Sequence, residues 1–233
     1  MMFDRLRTDL AMKSMGRSSL RHRLAIAFVL LVGGYTCAAL AQKSTTQNRF
    51  EIALIGDAPY SAEEESQYPN LIADINRSNV AFVIHDGDLQ SSGTPCTDAL
   101  LLKRRALYQT FRPPFVFLAG DNEWTDCHRT GSDPLVRLTK VRELFFSTEE
   151  SLGQTKLPLE RQSRSPQYST YRENVRWVYG SVLFVGLHIV GSNNNLGRTP
   201  EMDREFQARN KANLQWLQSS FTLAREKRFN GVM

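Results

Sequence analysis

Three times in this chain a short apolar run ends in Gly-Asp, and that repetition constrains the fold more than any other feature. Ile52 to Ile55 leads into Gly56-Asp57. Val80 to Ile84 leads through His85-Asp86 into Gly87-Asp88, and Phe115 to Ala119 leads into Gly120-Asp121. None of the runs alternates apolar with polar residues, so each strand is expected to be buried on both faces, as in a parallel sheet covered by helices. In such sheets ligands collect beyond the carboxyl ends of the strands. Three acidic tips on one sheet edge point to a polyacidic site suited to metal.

The stretches between the runs read as helices. Glu63-Glu64-Glu65 load a first turn, where the helix dipole favours acids, and Tyr68, Leu71, Ile72 and Ile75 form an apolar stripe at helical spacing. Pro69 fits that helix only in its first turn or at a break. Thr97 or Asp98 caps a second helix running to about Phe111, which Pro113-Pro114 stops. The expected class is therefore α/β, with a βαβαβ start and a mainly parallel buried sheet flanked by helices. Further on, Asp133-Pro134 opens a helix to about Phe146, and residues 147–167 read as a polar surface excursion. Tyr171–Tyr179 and Val182–Val190 flank Gly180-Ser181 as a hairpin, and Ser192-Asn193-Asn194-Asn195 is a loop. A long helix from Pro200 carries the stripe Met202, Phe206, Leu214, Leu217, Phe221 and Ala224, and Phe229–Met233 starts another strand.

Residues 1–41 read as an export signal. Basic residues up to Arg23 precede an apolar stretch from Leu24 that closes on Ala39-Leu40-Ala41, the layout of a cleavable signal peptide. Met15 offers a shorter, more ordinary start, so residues 1–14 are expected to be a misassigned beginning. An uncleaved anchor is the alternative, since about 20 apolar residues span a bilayer; Gly33-Gly34 and the small residues at the end favour cleavage. Cys37 fits a lipid-attachment cysteine poorly with Tyr35-Thr36 before it. The expected location is periplasmic or secreted, with no stable membrane span after cleavage. Residues 42–49 then form a flexible leader and residues 50–233 one domain.

The formal net charge of +5 shrinks once the signal is set aside, because six of the 29 basic residues but only two of the 24 acidic ones precede Gln42. A nearly neutral remainder does not call for a nucleic-acid partner. Oligomeric state has no signature in the sequence. Beyond residue 41 the only cysteines are Cys96 and Cys127, each a few residues past an acidic tip. If their strands are neighbours, a disulfide between them suits an oxidising compartment; two free buried thiols are the alternative.

Carboxylate and amide oxygens with imidazoles at strand ends suit a hard or borderline divalent pair. Two such ions about 3.5–4 Å apart can activate a bridging hydroxide for in-line displacement at phosphorus. With Gly56-Asp57, His85-Asp86-Gly87-Asp88 and Gly120-Asp121-Asn122-Glu123, and with Leu214-Gln215-Trp216-Leu217 in its later helix, the chain resembles the calcineurin-like metallophosphoesterase superfamily, which includes the purple acid phosphatases. The resemblance covers roughly residues 50–233. It implies a metallophosphoesterase-like four-layer sandwich, two divalent ions (Mn, Fe or Zn) and a phosphate-ester small molecule as substrate. It makes Asp57 a ligand of one ion and Asp88 the bridge, and it puts Asp121 in the position of the family's Asn ligand and Asn122 in that of its catalytic His. Pro59 stands where the family's first motif has His, with Tyr60 as a stand-in. The last His-bearing motifs, including Gly-His-x-His, have no counterpart before Met233, so the resemblance implies a domain incomplete at its C-terminus. Around the site, His85 is expected to pack or hydrogen-bond nearby, and Asp86 to be a supporting partner or a loop hydrogen-bonder. Glu123 is expected to line the cleft, His128 to be a solvated loop residue or to face the mouth, and His188 to be an interior imidazole.

Two functions follow as expectations. One is an exported phosphoesterase in which a dimetal-activated hydroxide attacks phosphorus, weakened by the missing imidazoles. The other is a non-catalytic secreted binding or scaffold domain that keeps the fold. Fold alone does not decide between them.

Overall fold

The computed structural model describes residues 49–233; the export-signal reading and all but the last residue of the leader lie outside these. β1 (Ala53–Ile55), α1 (Ala62–Arg77), β2 (Val83–His85), α2 (Asp98–Tyr108) and β3 (Phe115–Phe117) follow in βαβαβ order, and the strands pair in parallel as β1-β2-β3. The strands are shorter than the apolar runs. Pairing nevertheless continues upstream, where Ala81 N–H donates to Glu51 O (2.7 Å) and Ala53 N–H to Phe82 O (3.1 Å). Register places Ile55, His85 and Phe117 level, so the residues after them leave the sheet side by side.

Alternate residues of this sheet feed two cores. Val83, Phe115 and Phe117 point to one side and pack with Tyr68, Ile72 and Ile75 of α1 and with Leu101 and Tyr108 of α2. They also meet Val141 and Phe145 of α3 (Pro134–Phe145). Phe82, Ile84 and Val116 point to the other side and meet Leu159, Val175, Trp177 and Phe184. This second core lies between the parallel sheet and a mixed one made of β4 (Glu160–Arg161), β5 (Val175–Tyr179), β6 (Val182–Gly186) and β7 (Gly231–Val232), in that order. The β6–β7 pair is parallel and the other two antiparallel. β5 and β6 form the expected hairpin, its Gly180-Ser181 turn at φ of 55° and 65°, the left-handed pair that matches strand twist. α4 (Pro200–Lys227) lies on the second sheet, where Trp216 donates to Val175 O and stacks on Arg176.

The helices begin where the caps predict. Ser61, Thr97, Asp133 and Thr199 each accept a first-turn N–H through the side chain. Three expectations need correction. Pro69 sits inside α1, neither in its first turn nor at a break; it lies on the exposed face of the helix. Residues 147–167 are not a surface excursion. Leu152 pairs with Phe115, Leu159 enters the second core, and buried Gln162 donates to Ala212 O. The apolar stripe assigned to α4 is also displaced, because Leu214 and Phe221 are 60% and 55% exposed. The buried face runs through Arg209, Ala212, Asn213, Trp216, Ser220 and Ala224. Its polar members are hydrogen-bonded, so an apolar pattern does not reveal it.

Cys96 and Cys127 are joined, as expected, and both are buried. The bridge ties the segment after β2 to that after β3 across a sequence separation of 31. In the chain-entropy account a loop of that size is worth about 3–4 kcal/mol. The double substitution Cys96→Ser/Cys127→Ser is expected to lose about that much in urea unfolding; a loss under about 1 kcal/mol would show that the bridge closes an already constrained chain.

Candidate functional site

The three Gly-Asp tips leave the carboxyl edge of the parallel sheet next to one another. Two of the aspartates are left-handed, Asp57 at φ 53° and Asp88 at φ 59°, a region Asp tolerates better than most residues. Gly87, at φ 107°, lies so close to Gly120 that a Cβ on it would enter the Gly120 backbone. That contact requires glycine on both conformational and steric grounds. Asp57 N–H donates to Gly87 O at 3.2 Å, which joins the first tip to the second. Glu123 joins the second to the third: Oε2 accepts from Asp88 N (3.1 Å) and Oε1 from Gly120 N (2.6 Å). Buried Arg104 of α2 braces the assembly from behind, donating to Leu89 O and Pro59 O and pairing with Glu65.

Tyr60 is the hub of the polar groups. Its hydroxyl lies 2.9 Å from Asp57 Oδ1, 3.4 Å from Asp88 Oδ2 and 3.2 Å from the Asn122 amide nitrogen. Asn122 also donates its backbone N–H to Asp88 Oδ1 (3.0 Å) and its side-chain amide to Gln90 O (2.9 Å). Gln90 returns a bond to Asn122 O at 3.3 Å. The Cys96 and Cys127 sulfurs lie against that same carbonyl at 3.6 and 3.7 Å, so the disulfide is part of the frame.

Charge accumulates here without compensation. Burial, then the Asp121 and Asp57 carboxylates, push Asp88 up to about 6, against the Asn122 bond that lowers it. Burial and the charge of Asp88 push Glu123 up to about 8. Burial raises Asp86 too, with Asp57 adding to it, and burial and the bond to Asp57 raise the Tyr60 hydroxyl. Among the described residues no lysine or arginine pairs with Asp57, Asp86, Asp88 or Asp121. Like charges held this closely disfavour joint ionisation unless a cation is supplied.

The imidazoles are committed elsewhere. His85, fully buried, accepts from Gly87 N–H through Nδ1 (3.1 Å) and faces the Tyr108 hydroxyl through Nε2 (3.0 Å); burial pushes its pKa down to about 4. Exposed His128 turns Nδ1 to Thr125 O. His188 is buried against Glu173 and Trp124. Of the residues singled out from sequence, the structure thus brings Asp57, Tyr60, Asp88, Asn122 and Glu123 into one bonded group, with Asp121 beside Asp88. Asp86 flanks it, its carboxylate against Gly56. Two contributors went unread: Arg104 and Gly191, the last lying against Asp121. Gln90, two residues after Asp88, closes the central His85–Gln90 stretch; Arg104 and Gly191 have no signal in a single sequence.

This donor set is oxygen-only, the chemistry of a hard divalent cation. It does not match the mixed carboxylate–imidazole set that the resemblance implies. Among the described residues no three His, Cys, Asp or Glu side chains are arranged to hold a metal ion.

Glu123 makes the frame sensitive to pH. An acid raised by folding binds its proton more tightly in the native state, so the stability it contributes is complete below its ordinary value near 4.5 and is lost as pH rises toward about 8. In chelator, urea unfolding is expected to weaken across that window, and Glu123→Gln to flatten the dependence; an unchanged slope in the variant would assign it to another group.

Comparison of the chain with protein-family models, with curated proteins and with solved structures gives no match.

Proposed function

We propose that the chain is a phosphoesterase-type domain of the calcineurin-like metallophosphoesterase class, exported from the cytoplasm, whose acidic edge takes a divalent cation. The observation that carries the reading is the meeting of Asp57 and Asp88, from the first two parallel-strand tips, at the Tyr60 hydroxyl, with Asn122 of the third tip bonded to both Tyr60 and Asp88 and no basic partner among the described residues. Two sheets face to face, with helices against each, agree with the four-layer sandwich of that class.

In this reading Asp57, Asp88 and Asp121 hold the cation, with Asp88 central because its two oxygens face different partners. Divalent ions, when bound, supply a polarised water and neutralise charge on a transferring phosphoryl group. Tyr60 orients Asp57 and Asp88 through its hydroxyl, and Asn122 fixes Asp88 from the backbone side. Glu123 takes no part in contacting substrate: both its oxygens are used on backbone amides. Asn122, in the position of the family's histidine, has no proton to give a leaving group.

That last feature favours a second reading, a secreted binding domain that holds a cation without turnover. Mn²⁺ titration followed by hydrolysis of an aryl phosphate diester separates the two. Phosphoesterase function predicts Mn²⁺ binding weakened tenfold or more by Asp88→Asn, with slow turnover that Asp88→Ala abolishes. Binding without turnover selects the second reading, and absence of Mn²⁺ binding sinks both.

A further inference from the structure

Asn or Asp stands directly before Gly at two places in the chain, Asp86-Gly87 and Asn230-Gly231. Such a pair carries its own reactivity. Glycine has no Cβ to keep its backbone nitrogen away from the preceding side chain, so that nitrogen can close a cyclic imide on the Asp or Asn Cγ. Closure requires the peptide between the two residues to swing. The surroundings of that peptide therefore decide whether the reaction runs.

The two pairs lie in opposite surroundings. Gly87 N–H is bonded to buried His85 Nδ1 at 3.1 Å, Gly87 O accepts from Asp57 N–H at 3.2 Å, and a Cβ on Gly87 would enter the Gly120 backbone. The Asp86 carboxylate lies against Gly56. Both reacting groups of that pair are held in place. Asn230, by contrast, is exposed at the bend between α4 and β7, and a Cβ on Gly231 would meet no heavy atom within 4 Å. Among the described residues β7 pairs with β6 alone, over two residues, and short edge pairings open at small free-energy cost.

We infer that Asn230 is a site of spontaneous covalent modification, at which its link to Gly231 rearranges to aspartate and isoaspartate, the isoaspartyl form loosening β7. It holds with or without the cation-binding reading above. Gly231 N gives its proton to a solvent base and attacks Asn230 Cγ; the new C–N bond closes the imide, and the side-chain nitrogen leaves as ammonia. Water then opens the ring at one of its two carbonyls. Attack at Cγ leaves aspartate in the original main chain. Attack at the former main-chain carbonyl routes the chain through Cβ, which inserts one extra carbon between residues 230 and 231. Asn230 N–H donates to Ser181 O (2.8 Å), Met233 N–H to Leu183 O (2.9 Å) and Val185 N–H to Met233 O (2.8 Å). A longer link after Asn230 shifts Met233 along β6 and frees Val185 N–H.

The test incubates the purified chain at mildly alkaline pH, native and in urea, and follows it by peptide mass mapping with isoaspartate detection. The peptide holding Asn230 is expected to gain the mass of an NH2-to-OH exchange, and isoaspartate with it, at a native rate within tenfold of that in urea. Asp86 is expected to form isoaspartate only in urea. Gly231→Ala, whose methyl has open space and whose backbone is outside the left-handed region, is expected to slow the reaction tenfold or more without lowering the melting temperature. In hydrogen exchange, Val185 of the separated isoaspartyl form is expected to lose protection. A native rate more than tenfold below that in urea would overturn the inference, since β7 would then hold Gly231 N as His85 holds Gly87 N. So would an undiminished rate in Gly231→Ala, isoaspartate at native Asp86, or a fully protected Val185 in the isoaspartyl form.

Discussion

The bond pattern of one buried carboxylate holds the acidic edge together. Glu123 accepts the amides of Asp88 and Gly120, and in doing so fixes the exits of β2 and β3 at the distance where Gly87 touches Gly120. Each of those strands is only three residues long, so the ladder alone leaves their tips unconstrained. A carboxylate in this position serves as a backbone clamp, and its burial holds it toward the neutral form.

The division of labour around the clamp follows from it. Tyr60 and buried Asn122 bond the carboxylates, while Arg104 and the disulfide meet the backbone around them, at Leu89 O and Asn122 O. Each histidine is engaged with structure: His85 packs among Tyr108, Phe115 and Phe117 and caps Gly87, and His188 meets Glu173, whose own burial would raise it but whose pairing with Arg142 and His188 holds it well below the usual carboxylate range. The edge is therefore an anionic surface of oxygen donors, with His85 and His188 withdrawn into the core and exposed His128 turned to Thr125 O.

Much of this was legible in the sequence, and the reasons are local. Non-alternating apolar runs ending in Gly-Asp specify parallel strands and acidic tips, Glu63-Glu64-Glu65 mark the start of α1, and Thr97 and Asp133 mark helix starts by their capping chemistry. What escaped is non-local or polar. Arg209 and Asn213 sit on the buried face of α4 because partners on other elements satisfy them, while Leu214 and Phe221, which carry the apolar pattern, face outward. The Ser192–Asn195 run announced a loop through its asparagines, but not the bonds that hold it, from Arg209 to Asn194, Arg198 to Asn195 and Ser192 to Asp126. No spacing rule connects those residues to a Gly-Asp motif far upstream.

The cystine has a consequence for covalent connectivity. It joins the chain just before α2 to the segment just after the third tip. A backbone break anywhere in α2 or β3 would thus leave Asp88 and Asp121 in one molecule under oxidising conditions. The two halves of the acidic edge are linked by sulfur as well as by main chain, which gives the edge a second line of attachment against backbone cleavage.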